Sequence, residues 1–334
     1  MASEWRCLHF KEMIILNTTT QLFIMKPPHI RKIDFFKSLK YFLFIGLTLS
    51  SVGCKKPLYS AADGLFICDN DVYIAGSISQ GTSMTDCPTL WKNGIPQSIG
   101  ETGNFNNATS VFVDGNDIYA VINENDIGYL WKNGDKIDIY ADEVNSVFVY
   151  EGNVYIAGTM NDKPTLWING HPKYLATSSG SAKKICVYNG DVYVTGYIGS
   201  ILGNSSAVLW KNGNLHELVD SGEFYDIIFD DSGRMYIAGV MNNYATLWID
   251  GNPVILENRK STAYSVTIFK DDVYVGGLGF DSTGRSCSRL WKNGAIIHEH
   301  MDMGYQIKAL ASTSDTLYIA GTGKDIIPIW KITE

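Results

Sequence analysis

A tryptophan-centred motif recurs along the chain and constrains what the chain can fold into. The tetrapeptide Trp-Lys-Asn-Gly or a close variant begins at Trp91, Trp131, Trp167, Trp210, Trp248 and Trp291, and a truncated form begins at Trp330. Successive tryptophans lie 36 to 43 residues apart. A period of this length is typical of proteins in which each repeat is one supersecondary unit that buries its apolar face against its neighbours.

Each repeat unit divides into four short apolar runs. In the second unit the runs are 109–113, 117–122, 127–132 and 136–140. They are rich in β-branched and aromatic residues and are bounded by turn residues, which is the signature of strands. Asn133-Gly134 separates the last two runs, and this pair favours a type I′ hairpin in which both central residues have positive φ.

Seven units of four strands predict an all-β fold, a seven-bladed β-propeller spanning residues 57–334. The seventh unit ends soon after Trp330-Lys331 and lacks the Asn-Gly turn and a fourth strand. Residues 57–60, Pro-Leu-Tyr-Ser, resemble the fourth strands of other units. We therefore predict that 57–60 pairs with 327–332 as an N-terminal outer strand that closes the ring and removes the open edge.

The N-terminal part of the chain has the pattern of a targeting segment. The apolar run 41–49 is preceded by basic residues and followed by small residues, and it is too short to span a bilayer. Gly53-Cys54 resembles the lipobox of bacterial lipoproteins, which implies a lipid on Cys54. We predict a signal peptide at 25–53 and a lipidated N-terminus and short tether at 54–56. Translation is expected to begin at Met25, because a signal peptide of ordinary length would start there, and 1–24 is then an upstream extension that is not part of the protein. An ordinary signal peptide or an uncleaved anchor is the alternative.

The repeat itself also resembles a known family. The pattern Asp-Val-Tyr-Ile-Ala-Gly, a variable hairpin and then Thr-Leu-Trp-Lys-Asn-Gly is similar to repeats of β-propeller lipoproteins of Gram-negative bacteria. The resemblance covers 57–334 and implies a seven-bladed propeller. The targeting segment and the lipobox predict an exported protein held by its lipid in the cell envelope, on the outer membrane or another surface facing the periplasm. The resemblance of the repeat supplies no catalytic residues.

Composition and motifs narrow the chemistry further. The net charge of −8 disfavours nucleic acid as a partner, because phosphate binding needs a basic surface. The chain contains neither Gly-x-Ser-x-Gly nor His-Glu-x-x-His. His298-Glu299-His300 is expected to be solvated and Asp230 to belong to a turn, so we predict no metal and no cofactor. The propeller cysteines fall in separated positions, and no disulfide is expected.

A candidate ligand site follows from the loops, since the variable connections of a propeller emerge on one face. We expect the first residue of each inner strand to surround the mouth of the axial channel there: Asp63, Thr109, Asn145, Lys183, Tyr225, Tyr264 and Lys308. The next positions add Ser110, Ser146, Lys184, Asp226 and Ser265.

Such a mixture of side chains can hydrogen-bond to a polar ligand and stack on it. The leading expectation is a monomeric, non-catalytic binding or scaffold module for a glycan, peptide or protein. The alternative is a glycan lyase or hydrolase using Tyr225, Tyr264, Asp226 or Lys183 as acid or base. A water-filled funnel without a ligand is a further alternative.

Overall fold

Strands joined by tight turns make up the computed structural model, as the repeat predicts. The structure describes residues 59–79, 85–199, 205–281, 283–300, 306–323 and 329–333. The predicted extension 1–24, signal peptide 25–53 and tether 54–56 lie outside these residues. No membrane-spanning helix occurs in the described part of the chain.

The largest sheet joins the first strands of the chain to the last. It contains β1 (Tyr59–Cys68), β2 (Asp71–Ser79), β3 (Thr85–Lys92), β4 (Ile95–Ser98) and the short β5 (Gly103–Asn104). Five further sheets, counted in the described ranges, have four antiparallel strands each in chain order.

The strands of these five sheets are β6 (Asn107–Asp114), β7 (Asp117–Glu124), β8 (Ile127–Lys132), β9 (Asp135–Ala141); β10 (Glu143–Tyr150), β11 (Asn153–Met160), β12 (Lys163–Ile168), β13 (His171–Tyr174); β14 (Gly180–Tyr188), β15 (Asp191–Gly199), β16 (Ser205–Lys211), β17 (Asn214–Val219); β18 (Gly222–Phe229), β19 (Met235–Met241), β20 (Tyr244–Ile249), β21 (Asn252–Ile255); and β22 (Ser261–Phe269), β23 (Asp272–Phe280), β24 (Ser286–Lys292), β25 (Ala295–His300). The largest sheet is completed by β26 (Ile307–Ser312), β27 (Thr316–Gly323) and β28 (Ile329–Thr333). The four runs predicted in the second unit correspond to β6–β9.

The asparagine of the tryptophan motif turns the chain and also ties two strands together. Asn133 and Gly134 have φ values of 50° and 110°, which confirms the positive-φ hairpin. The Asn133 Oδ1 atom accepts the N–H of Ile118 at 2.8 Å, and its Nδ2 donates to Asp117 Oδ1 at 2.7 Å. Lys132 Nζ lies 2.7 Å from Asp117 Oδ2 and 4.8 Å from the centroid of the Tyr119 ring. The turn after the third strand is thereby fastened to the start of the second.

Asp117, Lys132 and Asn133 form a polar set, and other units that have a different residue at one of these positions also have a different residue at the position it contacts. Where Ile168 replaces the lysine, Asn153 replaces the aspartate, and Asn169 Nδ2 donates to Asn153 Oδ1 at 2.8 Å. In another unit the acidic residue is on the other strand. Asp250 replaces the asparagine, Arg234 replaces the aspartate, and Arg234 Nε lies 3.8 Å from Asp250 Oδ2. The motif therefore preserves an interaction between two strands rather than one residue type.

The core lies between successive sheets. Trp131 is 5% exposed and packs in one cluster with Tyr73 and Leu90 of the preceding sheet. Trp167 packs in the same manner with Tyr119 and Leu130. Each aromatic side chain of this size buries on the order of 150–250 Å², so these contacts dominate the apolar burial. The predicted role in the core is confirmed for the six tryptophans of the motif that precede Trp330, which is half-buried.

The start of the described chain pairs differently from the expected closure strand. Pro57 and Leu58 lie outside the described residues. Ser60 belongs to β1, where it pairs with Ile78 of β2 and Gly323 of β27. β28 pairs with β27 at 316–320, so Ser60 does not pair within 327–332 as predicted. The prediction is wrong for Tyr59 and Ser60, because the ladder with β2 extends back to Tyr59.

Candidate binding site at the strand bulges

A β-bulge interrupts the first strand of each repeat unit. In the described ladders the unpaired bulge residues are Asp63, Thr109, Asn145, Lys183, Tyr225, Tyr264 and Lys308. They are the seven residues that the sequence singled out, although it placed them at strand starts. Each strand instead begins earlier, as β6 does at Asn107, two residues before Thr109. A bulge leaves one residue without a cross-strand partner and redirects its side chain, and bulges are frequent beside functional sites.

In four units the side chain of the residue after the bulge connects neighbouring sheets. Three serine hydroxyls accept backbone N–H groups of the next sheet: Ser110 from Val147 at 3.2 Å, Ser146 from Ile185 at 3.3 Å and Ser265 from Leu310 at 3.1 Å. Ser110, Ser146 and Ser265 are buried. These three positions are therefore structural, and their hydroxyls are occupied by the scaffold.

Asp226 occupies the same position in its unit and has the same role. Its Oδ2 accepts the N–H of Val266 at 3.0 Å and the hydroxyl of Ser265 at 2.8 Å. Its Oδ1 accepts the N–H of Ile227 at 3.0 Å and lies 3.8 Å from Lys184 Nζ. The side chain is buried, so both carboxylate oxygens are committed to holding two sheets together. This arrangement disfavours Asp226 as a catalytic acid or base.

Three of the bulge residues form an aromatic and cationic cluster. The rings of Tyr225 and Tyr264 lie 5.4 Å apart in an edge-to-face arrangement. Lys308 Nζ lies 4.1 Å from the centroid of the Tyr264 ring, and Tyr225 donates its hydroxyl to Glu223 Oε2 at 2.8 Å. Burial raises the pKa of both tyrosines, so their phenols stay protonated at neutral pH. The cluster offers aromatic faces and a cation, not an ionised phenolate.

A second group surrounds Lys183. Its Nζ lies 3.6 Å from Glu143 Oε1 and 5.6 Å from the centroid of the Tyr197 ring. Burial, with smaller contributions from Glu223 and Glu143, raises the pKa of Tyr197 to about 12. Sequence reasoning missed Glu143, Tyr197 and Glu223. Glu143 and Glu223 stand two positions before the bulge residues of their strands, a spacing that could have indicated them.

The remaining predicted residues contact the scaffold. Thr109 donates its hydroxyl to the carbonyl of Val144 at 2.9 Å, and Asn145 donates to the carbonyl of Ala182 at 3.0 Å. Asp63 accepts from Asn107 Nδ2 at 3.4 Å.

Burial raises the pKa of Asp63, while the charge of Lys308 and the hydrogen bond from Asn107 oppose the increase. The described contacts therefore link Tyr225, Tyr264, Lys308 and Asp63 electrostatically or by packing. Thr109 and Asn145 do not join that group.

The other sequence signals have structural explanations. Asp230 Oδ1 accepts the N–H groups of Ser232 and Arg234 at 2.9 and 2.8 Å, which confirms its place in a turn. No group of three or more His, Cys, Asp or Glu suited to a metal ion occurs in the described ranges. The cysteines in these ranges, Cys68, Cys87, Cys186 and Cys287, are not joined by disulfides.

The chain is an all-β protein of repeated four-stranded antiparallel sheets, an arrangement consistent with a β-propeller. It is similar in fold to a puromycin-hydrolyzing peptidase of Mycobacterium tuberculosis, with a TM-score of 0.53 and 8% identity over 84% of this chain and 52% of the peptidase chain. It thus spans about half of that protein. A chain of the mitotic checkpoint complex gives a TM-score of 0.53 at 10% identity, covering 96% of this chain and 100% of the other. No protein-family model and no curated protein sequence matches.

Proposed function

We propose that residues 57–334 form a seven-bladed β-propeller that binds a glycan, peptide or protein without catalysis, exported and anchored through a lipid on Cys54. The observation that carries the proposal is the coincidence between the predicted ligand positions and the bulges. Seven of the eight predicted residues are the bulge residues, which have no cross-strand backbone partner, and the eighth, Asp226, pairs with Ala238. Among the seven, Tyr225, Tyr264 and Lys308 contact one another at one place.

Contacts between the ends of the repeat array support a closed ring. Ser60 and Ala61 of β1 pair with Gly323 and Thr322 of β27. The charge of Lys308 in β26 partly offsets the increase that burial causes in the pKa of Asp63 in β1, so the two residues lie near each other. The closure proposed here therefore uses the start of β1 itself. Joining the ends pairs part of the β1 and β27 edges, and the outer edge strands β13 and β21 are only four residues long, which limits templated aggregation.

The protonation states favour binding over acid–base catalysis. A lyase that used Tyr225 or Tyr264 as a base would need an ionised phenol, and burial opposes ionisation of both. Asp226 is occupied by the scaffold, and Lys183 is paired with Glu143. Tyr264 and Lys308 instead present a ring and a cation suited to stacking and to polar contacts.

The test is a binding screen of the full chain against printed glycan and peptide arrays, followed by calorimetric titration of the best ligand. We expect Tyr264→Ala and Lys183→Ala to weaken binding at least about tenfold, roughly 1.4 kcal/mol. Lys173→Ala, on the exposed strand β13, is the matched control and should bind like the wild type. Equal affinity in all variants would contradict a binding site at the bulges, and no ligand on either array would contradict a glycan or peptide as its ligand.

Anchoring is tested separately, since it does not depend on the ligand. Cells expressing the chain are fed an alkyne fatty acid, and the protein is examined for label and for its N-terminal peptide by mass spectrometry. Label on the wild type that is absent from Cys54→Ser supports lipidation. An unlabelled wild type that begins before residue 54 would exclude it.

A further inference from the structure

A polar cleft beside the bulges carries an inference about the ligand. It has a volume of about 370 Å³, near the lower end of the 300–1,000 Å³ typical of small-molecule sites. Its walls come from the segment after β5, the β7–β8 turn and the start of β10: Asn104, Phe105, Asn106, Asn107, Thr109, Asn123, Asn125, Asp126, Asp142 and Glu143. Thr109 and Glu143 also belong to the candidate binding site, so the cleft adjoins it.

Two asparagine side chains, the buried Asn106 and the half-buried Asn123, hold the walls of this cleft together. Asn106 is 1% exposed, donates to the carbonyl of Glu101 at 2.9 Å and accepts the N–H of Asn125 at 2.9 Å. Asn123 accepts the N–H of Val144 at 2.8 Å and donates to its carbonyl at 2.9 Å. Both side chains lock one wall to another, and the cleft is therefore preformed rather than a gap between mobile loops.

The rim of the cleft retains unused hydrogen-bonding capacity. Within the described residues, the side chains of Asn104, Asn125 and Asp126 make no hydrogen bond, and all three are exposed. Amides supply donors and acceptors, and a carboxylate supplies acceptors. This combination suits a ligand with several hydroxyl groups, each of which both donates and accepts.

Phe105 adds an apolar face to the polar rim. Its side chain is 75% exposed, and its φ of 59° is strained for a bulky residue. Tyr140 is equally strained and exposed away from the cleft, so it is the position of Phe105 on the cleft wall that sets this ring apart. A flat exposed ring beside hydroxyl-binding groups matches a pyranose, which has one apolar C–H face and a polar edge.

The charges of the cleft restrict that sugar. Asp126, Asp142 and Glu143 line it, and no lysine or arginine stands among the described lining residues. Carboxylates disfavour an anionic ligand through repulsion and desolvation. We propose that the cleft binds one or two pyranose rings of an uncharged saccharide, with Phe105 stacked on one ring and the rim residues bonded to its hydroxyls. This rests on the proposed binding function and assigns its ligand class.

The test compares two strained, exposed aromatic residues. Tyr140 has a φ of 56°, is 80% exposed and does not line the cleft. Glycine adopts positive φ without strain, so Phe105→Gly and Tyr140→Gly should both keep or raise the melting temperature. The full chain is screened on an array of neutral, amino and uronic oligosaccharides, and the strongest neutral binder is titrated by calorimetry in EDTA.

We expect neutral sugars to bind and uronic sugars not to bind. Phe105→Gly should weaken binding at least about tenfold, Phe105→Trp should retain it, and Tyr140→Gly should match the wild type. A preference for uronic sugars, or unchanged affinity in Phe105→Gly, would overturn the inference. If the same ligand is then lost in Tyr264→Ala, the proposed function stands without it. Absence of any glycan ligand would overturn this inference, whereas a peptide ligand found in the same screen would leave the proposed function standing.

Discussion

Arg289 of β24 and Glu257, which follows β21, form an ion pair that is almost completely excluded from solvent. Arg289 Nε lies 3.1 Å from Glu257 Oε2, and Nη2 lies 3.3 Å from Oε1. The residues are 1% and 8% exposed. A third guanidinium nitrogen, Nη1, donates to Cys287 Sγ at 2.7 Å. The two-point geometry satisfies the guanidinium and the carboxylate at the junction between two sheets.

Breaking this pair from one side should be costly. Glu257→Gln or Arg289→Met leaves one buried charge without compensation, and we expect a loss of about 3–5 kcal/mol in unfolding free energy. The double variant Glu257→Leu/Arg289→Met removes both charges and should lose less than either single variant. Urea melts of the three proteins measure this. Single-variant losses below about 1 kcal/mol would mean that the pair behaves as an exposed one.

The polar set of the tryptophan motif should tolerate a matched exchange. Asp117→Asn with Lys132→Ile recreates the combination that Asn153 and Ile168 form in the next unit. The hydrogen bonds from Lys132 and then Asn133 lower the pKa of Asp117. The stabilisation is therefore present above the unfolded value of about 3.9 and is lost as pH falls through the folded value.

We expect the double variant to match the wild type at pH 7 and to lose less stability on acidification. Lys132→Ile alone should lose stability at pH 7, because Asp117 keeps only its partners Asn133 and Tyr119. Urea midpoints at pH 7, 5 and 3 measure both effects. Identical acid sensitivity of the double variant and the wild type would show that this aspartate does not contribute.

Trp131→Ala should show how much the core between two sheets contributes to the free energy of unfolding. The substitution opens a cavity against Tyr73 and Leu90, and we expect a loss of about 3–5 kcal/mol. Leu215→Ala is the control, since Leu215 is 61% exposed and should cost little. Denaturant melts compare the two. A loss below about 1 kcal/mol for Trp131→Ala would contradict its place in the core.

Asp63→Asn should stabilise the protein at neutral pH. Burial raises the pKa of Asp63, so its ionisation opposes folding, and stability falls as pH rises through the folded value. Asparagine cannot ionise, and the difference in melting temperature between variant and wild type should grow from pH 4 to pH 7. Thermal melts at both values test this. The same difference at both pH values would show that Asp63 does not titrate as burial requires.

The repeat could be predicted from local sequence patterns, because the residues that determine the strands and turns of each unit lie within that unit. Asn133-Gly134 determines a hairpin through two positive φ angles, and Trp131 identifies the strand that packs on the preceding sheet. Both effects act over a few residues or repeat in every unit. The strand pattern was therefore readable without knowledge of distant contacts.

Features that depend on distant contacts were not readable in the same way. The bulge at Thr109 looked like a strand start, because two residues opposing one across a ladder break the alternation on which strand prediction depends. Ser60 was misassigned because its partners, Ile78 and Gly323, are set by tertiary pairing. The cleft around Phe105 brings together three segments, and nothing in its local sequence identifies its neighbours.

At most strand positions one residue determines both the pairing of the backbone and the chemistry of its side chain, and the bulges separate these two roles. A residue inside a ladder affects register and packing whenever it changes, whereas the bulge residue has no cross-strand partner. Substitutions at 183, 225, 264 and 308 therefore leave the register of the ladders unchanged, whereas those at 63, 109 and 145 also remove side-chain hydrogen bonds to a neighbouring sheet. A combinatorial library at the first four positions would change side-chain chemistry while the strand pairing stays constant.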